Sequence, residues 1–156
     1  MQQPINIWSG SNIQLGAVLT NPTELSFRKG KLKYHYPVEF RGQIFPDAEA
    51  AYQHFKTGNL EEDMAVMTKI IVAKLQQHPR LFHAIAANGG IAWLEQCSHK
   101  VVGNVRWEGV GRSSNFIVCL IRAYAIVKPA ENMIETAIDR DQDLPLHLLN
   151  EEEFEQ

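Results

Sequence analysis

The stretch FPDAEAAYQHFK, residues 45–56, marks the point where an alternating pattern gives way to a helical one. At 100° per residue, the apolar side chains from this point fall on one face of a helix: Ala48, Ala51, Tyr52 and Phe55. Asp47 is available as the N-cap, and Gly58 tolerates the left-handed conformation that closes helices. The stretch therefore predicts a helix with one buried face.

Glu49 lies on the margin of that buried face, close in projection to Gln53 and Lys56. Two roles fit this position. Glu49 either pairs with Lys56 or Gln53 at the helix boundary and does no chemistry, or it lines a pocket beside the buried wall. The spacing alone leaves both roles open.

The size of the chain predicts one globular domain. With 156 residues and 45% hydrophobic content, residues 1–150 are long enough to form a single core, and residues 151–156 read as an acidic tail. No apolar run reaches about 18 residues, and the polar N-terminus does not resemble a signal peptide. We expect a cytoplasmic protein without membrane partners, in which Cys97 and Cys119 are free thiols.

The net charge of −3 excludes one class of function. A protein that binds nucleic acid mainly by neutralising its phosphates needs clustered Lys and Arg, which this sequence lacks. A small anionic ligand, or a nucleic-acid end presented to a pocket, remains compatible with the charge.

Hydrophobic periodicity predicts an α+β fold that is mostly helical, with a small N-terminal antiparallel sheet packed on a helical bundle. A strand is predicted at 4–9, an irregular connection at 10–25, and an antiparallel pair within 31–45 that turns at Arg41-Gly42. Helices are predicted at 60–77, 79–88 and 114–127, with a short helical segment within 90–100 and a weak last helix at 131–140.

The glycine-rich loop before the last long helix combines a tryptophan with polar residues. Trp107, Glu108 and Gly109 form either a tight turn pinned by a buried aromatic ring, or a backbone approach to a ligand on which the tryptophan stacks. Ser113, Ser114 or Asn115 is expected to cap the following helix, although that helix N-terminus beside Arg112 would also suit a phosphate.

Several catalytic and cofactor classes receive no support from motifs. The six histidines lack the spacing of a metal site, so no metal is predicted, although His99 after Ser98 has the chemistry of a general acid or base. Hydrolase elbows, dinucleotide-binding loops and P-loops have no matching sequence.

The order of these segments resembles the NADAR family, also called YbiA-like, over most of residues 5–127. The family includes N-glycosidases that act on ribosylated pyrimidine intermediates of riboflavin synthesis and on ADP-ribosylated guanine. The matching segments are Leu19-Thr20-Asn21-Pro22, Asp47-Ala48-Glu49 followed by Tyr52-Gln53-His54-Phe55-Lys56, Met67 through Ala73-Lys74-Leu75, Trp93-Leu94-Glu95, and Trp107 to Asn115. The chain departs from the family where Asn104 replaces an acid and Glu108 replaces a glycine.

The resemblance implies a set of site residues. Glu49 matches the proposed catalytic glutamate, and Glu108 is a candidate second acid that stands in for the one replaced by Asn104. Asn104 itself is expected to contact the substrate. Asn21 and Tyr52 would bond ribose hydroxyls, and Trp107 would stack on the base or adenine. The predicted phosphate or pyrophosphate contacts are Lys56, Arg112 and the amides from Ser113 through Ser114 to Asn115.

The function implied by the resemblance is hydrolysis of the bond between ribose C1′ and the nitrogen of an N-ribosylated or ADP-ribosylated base. No cofactor is expected, because water is the only other reactant. The expected partner is an ADP-ribose-like or ribose-phosphate molecule, possibly carried on a nucleic-acid base. A binding module that holds such a nucleotide without cleaving it is the alternative, and a purely structural protein without a ligand is the third hypothesis.

Overall fold

The computed structural model describes residues 2–103 and 105–137 as an α+β fold that is predominantly helical. The helices are α1 (Gln14–Leu19), α2 (Thr23–Arg28), α3 (Ala48–Phe55), α4 (Leu60–Gln77), α5 (Pro79–Asn88), α6 (Ile91–Leu94) and α7 (Asn115–Ala137), with a 3₁₀ helix at Gly111–Ser113. The strands are β1 (Val38–Phe40), β2 (Gln43–Phe45), β3 (Ser98–His99) and β4 (Gly109–Val110). The predicted acidic tail at 151–156 and the predicted site residue Asn104 lie outside the described residues.

The long helices form the core. α4 and α7 make the most extensive contact between any two elements, and α3 and α5 pack against α4. The inward face of α4 includes Met67, Ile71 and Leu75, which are buried, and Met64, which is partly buried. Cys97 and Cys119 are buried free thiols, as predicted. None of the described helices is long and apolar enough to cross a membrane.

Two small antiparallel sheets flank the helices instead of one. The predicted hairpin is confirmed: β1 pairs with β2, with Val38 opposite Phe45, and the turn at Arg41-Gly42 places both residues at positive φ. The second sheet pairs Ser98 with Val110 and His99 with Gly109. This second pairing joins segments ten residues apart through the glycine-rich loop, and it places that loop beside the start of α7.

The predicted start of α3 is confirmed together with its Asp47 cap, and α4 begins at the predicted residue, Leu60. The Asp47 carboxylate accepts from the Ala50 N–H at 2.9 Å, and a second oxygen of the same carboxylate accepts from the Glu24 N–H at 2.9 Å. Asp47 therefore caps α3 and ties it to the first turn of α2.

The cap of α4 gives a stability prediction. The Asn59 side chain accepts from the Glu62 N–H at 2.9 Å, so Asn59→Ala is expected to lower the free energy of unfolding by about 1 kcal/mol. In a chain of this size that loss corresponds to roughly 2–4 °C in melting temperature, measured by thermal unfolding. Asn59→Asp retains a cap acceptor and serves as the matched control. Equal melting temperatures for all three proteins would contradict the prediction.

Two predictions near the N-terminus are wrong. Residues 4–9 do not form a strand, because only Asn6 bridges to Ser98 before a turn closed by the Ser11 N–H and the Trp8 carbonyl diverts the chain. Residues 10–25 are not irregular, because they contain α1 and the first half of α2. These helices are held by tertiary contacts such as the Ser26 hydroxyl, which donates to the Ala17 carbonyl at 2.8 Å.

The predicted break before the last helix is also wrong. A single helix, α7, runs from Asn115 to Ala137 with Pro129 inside it. The break was predicted because an interior proline lacks a backbone hydrogen-bond donor and its ring clashes with the preceding turn, yet α7 continues through Pro129. The remaining part of the predicted segment, 138–140, lies outside the described residues.

Candidate functional site

A cleft of about 570 Å³ lies between the start of α3, the α1–α2 connection and the loop that follows β3. Its volume falls in the range of small-molecule sites. Four of the lining residues carry rings, namely Tyr52, His99, Trp107 and Phe116. The lining also includes the carboxylates of Glu49 and Asp63 and the cations Lys56 and Arg106. The structure therefore brings Asn21, Glu49, Tyr52, Lys56 and Trp107 together, five of the residues that the sequence singled out.

Glu49 stands in the first turn of α3 with its side chain at the cleft wall. Its carboxylate accepts from the Gln53 side-chain amide at 2.7 Å, and its N–H donates to the Asn21 carbonyl at 3.2 Å. Burial raises the pKa of Glu49, and the nearby Asp47 adds to that effect, while Gln53 and Lys56 oppose it. Glu49 therefore pairs with Gln53 and lines the cleft at the same time.

An aromatic pair forms one side of the cleft. The Tyr52 and Trp107 rings meet edge to face, with centroids 5.7 Å apart, and both side chains are buried. The backbone of Trp107 is fixed by the start of α7, because the Ser114 hydroxyl donates to the Trp107 carbonyl at 2.6 Å. The pair offers a rigid apolar surface on which a planar ring of a ligand can pack.

Asn21 is a polar side chain almost withdrawn from solvent at the cleft edge, since only 3% of it is exposed. Its side-chain oxygen has no hydrogen-bond partner among the described residues. The preceding segment is held by the buried Lys74 amino group, which donates to the Val18 and Thr20 carbonyls at 2.7 and 2.6 Å. An unpartnered buried amide in a fixed segment suits a hydrogen bond to a ligand.

The cations of the cleft differ in how they are held. Lys56 ends α3 and is exposed, whereas the Arg106 guanidinium donates to the Gly58 carbonyl at 3.3 Å and lies 3.5 Å from the Asp63 carboxylate. Arg106 and Asp63 were not predicted as site residues from the sequence. No local signal marks either one, because they meet only when the loop at 101–107 folds against the first turn of α4.

Asp63 is a fully buried carboxylate with a full set of donors. The N–H groups of Thr57 and Gly58 donate to it at 2.7 and 3.0 Å, and the Thr57 hydroxyl adds a third contact at 3.3 Å. Burial alone would raise the pKa of Asp63, but these donors and the Arg106 cation outweigh burial and lower it. Asp63 therefore remains ionised and shapes the cleft mouth through the 57–58 turn.

The structure places Arg112, Ser114 and Asn115 outside the cleft lining. The Arg112 guanidinium donates to the Glu95 carboxylate at 2.8 Å on the surface. The Ser114 hydroxyl accepts from the Ile117 N–H at 3.1 Å and so caps α7, which is the capping role predicted from the sequence. The Asn115 side-chain amide donates to the Arg106 carbonyl at 2.8 Å. The side chains of Ser114 and Asn115 therefore fix the loop that carries Arg106 and Trp107, while Arg112 is paired with Glu95.

Glu108 is half-buried and is also absent from the cleft lining, but it is close enough to His99 to favour the charged form of that ring. The glycines that follow it serve packing rather than ligand approach. A Cβ on Gly111, where φ is 53°, would lie 2.1 Å from the Glu95 carbonyl oxygen. The tight-turn interpretation therefore holds for these glycines, while Trp107 lines the cleft.

Comparisons with protein-family models, with curated proteins and with solved structures found no match to this chain.

Proposed function

We propose that this protein is an N-glycosidase of the NADAR type that hydrolyses the ribose C1′–N bond of an N-ribosylated or ADP-ribosylated base. The observation that carries the proposal is the placement of Glu49, a half-buried carboxylate with a raised pKa, in one cleft with Asn21, Tyr52 and Trp107. The order of motifs that resembles the family supports the same assignment. Action in the cytoplasm is part of the proposal.

The chemistry requires a negative group beside the sugar. As the C1′–N bond breaks, positive charge develops on the ribose, and a carboxylate near C1′ stabilises this oxocarbenium-like state. Glu49 supplies that carboxylate, and the fixed Gln53 amide orients it at 2.7 Å. Water is the second substrate, so the reaction needs no cofactor.

The remaining cleft residues hold the substrate in this proposal. The Trp107 and Tyr52 surface packs against the base or adenine ring, and the Asn21 amide bonds a ribose hydroxyl. Lys56 and Arg106 hold phosphate groups, because they are the cations that line the cleft among the described residues. Arg106 takes the role that the resemblance gave to Arg112, whose guanidinium pairs with Glu95.

A nucleotide-binding module that does not cleave its ligand is the second candidate function. It is favoured by the state of Asp63, the other carboxylate that lines the cleft, whose oxygens are occupied by protein donors. Glu108 is outside the lining, so a second acid facing the sugar is missing among the described residues.

Product analysis separates the two functions. The protein is incubated with DNA carrying ADP-ribosylated guanine and, separately, with the ribosylamino-pyrimidine phosphate of riboflavin synthesis, and products are identified by mass spectrometry. Free ADP-ribose with restored guanine, or ribose 5-phosphate with the free pyrimidine, is the expected result for one of these substrates. Calorimetric binding of ADP-ribose or ribose 5-phosphate without any product would instead favour the module, and neither binding nor product would overturn both.

A further inference from the structure

His99 is a buried imidazole in the cleft whose ring nitrogens are in unequal positions. Only 7% of the residue is exposed, and Nδ1 lies 2.7 Å from the Ile7 carbonyl oxygen. Because a carbonyl oxygen only accepts, Nδ1 carries the proton of the neutral ring and Nε2 keeps a free lone pair. His99 is also one of the residues that line the cleft. His99 therefore presents one acceptor of fixed identity.

The ring is held from three directions. β3 pairs with β4 so that His99 is opposite Gly109, and the Phe116 ring lies 4.6 Å from the imidazole centroid to centroid. The hydrogen bond to the Ile7 carbonyl fixes the rotation of the imidazole about its Cβ–Cγ bond. Such positioning is the arrangement that histidine bases need, in which one nitrogen is anchored and the other is directed at the reactant.

We infer that His99 is the base that takes a proton from the attacking water, an inference that rests on the proposed N-glycosidase function. Glu49 is then left ionised to face the charge that develops on the ribose. Glu108, which favours the charged form of His99, stabilises the imidazolium as a positioning residue without touching the substrate.

In the proposed step water adds to C1′ of the ribose and the base leaves. The water oxygen forms a bond to C1′ while one of its protons moves to Nε2 of His99. The C1′–N bond breaks and its electron pair remains on the nitrogen of the base. The imidazolium then gives its proton to that nitrogen, which regenerates neutral His99 and releases the base as its N–H form.

The pH dependence follows from the charged groups that share the cleft with His99. Besides Glu108 on the adjoining loop, these are Glu49, Lys56, Asp63 and Arg106. Burial lowers the pKa of His99 more than the Ile7 contact and Glu108 raise it, so the ring is neutral at pH 7. Two groups must then be deprotonated for turnover, Glu49 and His99, and log kcat/KM should fall with a slope near 2 at acid pH.

His99→Asn is the variant that tests this inference. The Asn side-chain amide can still donate to the Ile7 carbonyl, so the anchor is retained while the base is lost. We expect kcat to fall by about 10²-fold or more and the acid slope to fall from near 2 to near 1, with ligand affinity within a few-fold of wild type. His54→Asn, on the far side of α3 against Phe45, is the matched control and should change neither quantity.

The outcomes separate this inference from the function on which it rests. A wild-type enzyme that forms product and a His99→Asn variant with unchanged kcat and slope would overturn the role of His99 alone. Absence of product from the wild type would overturn both. A measurement without a variant is the ¹⁵N spectrum of the wild-type imidazole at pH 7, in which an unprotonated Nε2 is expected and a protonated Nε2 would overturn the inference.

Discussion

Glu49→Gln is expected to lower the rate of C1′–N hydrolysis by about 10²–10⁴-fold while leaving ligand affinity within a few-fold of wild type. Glutamine has the shape of glutamate, and its amide oxygen can still accept from the Gln53 side chain, so the cleft keeps its form. The negative charge that stabilises the developing ribose cation is lost. Single-turnover rates by mass spectrometry and affinity by calorimetry measure the two quantities separately.

The matched control for this change is Glu61→Gln. Glu61 is an exposed acid in the first turn of α4, outside the cleft lining, and its replacement should leave the rate unchanged. A wild-type rate in Glu49→Gln would remove the carboxylate from the mechanism. A loss of binding together with the rate would assign Glu49 to ligand recognition instead.

The pH profile adds a second test of the same carboxylate. Glu49 must be ionised to stabilise positive charge, and burial raises its pKa above the ordinary 4.5. Activity that depends on Glu49 should therefore be lost as pH falls, at a pH above the one expected for an exposed glutamate. A profile that is flat down to pH 4.5 would contradict this role.

Local sequence signals were sufficient where one element carries the information. The hairpin at Arg41-Gly42 has its turn residues in place, and α3 has its cap at Asp47, so both could be predicted from spacing. Glu49 and Tyr52 are three residues apart on one helix, so spacing predicts that they lie on neighbouring parts of one face, whereas their roles in a site were implied by the resemblance to the NADAR family.

Signals were insufficient where the structure depends on distant contacts. α1 and α2 have six residues each and no side-chain N-cap, so their stability comes from packing and from bonds such as Lys74 to the Val18 carbonyl. Asp63 and Arg106 are 43 residues apart in the sequence, and the folded chain brings the guanidinium to 3.5 Å from the carboxylate. His99 was visible as a histidine, but its fixed tautomer requires the Ile7 carbonyl, which is 92 residues away.

Lys74→Met is expected to lower the free energy of unfolding by about 2–4 kcal/mol, because two carbonyl oxygens lose their donor inside the core. Only 1% of Lys74 is exposed, and its amino group donates to the Val18 and Thr20 carbonyls at 2.7 and 2.6 Å. Methionine fills a similar volume but has no hydrogen-bond donor for the two carbonyls. Chemical denaturation measures the loss, and Lys69→Met, at an exposed position of the same helix, is the control that should change stability little.

The same residue gives a stability that depends on pH in a defined direction. Burial lowers the pKa of Lys74 from 10.5 to about 7, although the Asp47 charge opposes that shift. Between these two values the unfolded chain binds a proton that the folded protein does not, so the free energy of unfolding rises with pH across this window, by at most about 1.4 kcal/mol per pH unit. The neutral amine still has two N–H groups, one for each carbonyl. The difference in stability between wild type and Lys74→Met should therefore widen from pH 7 towards 10.5, and a constant difference would show that Lys74 stays charged in the core.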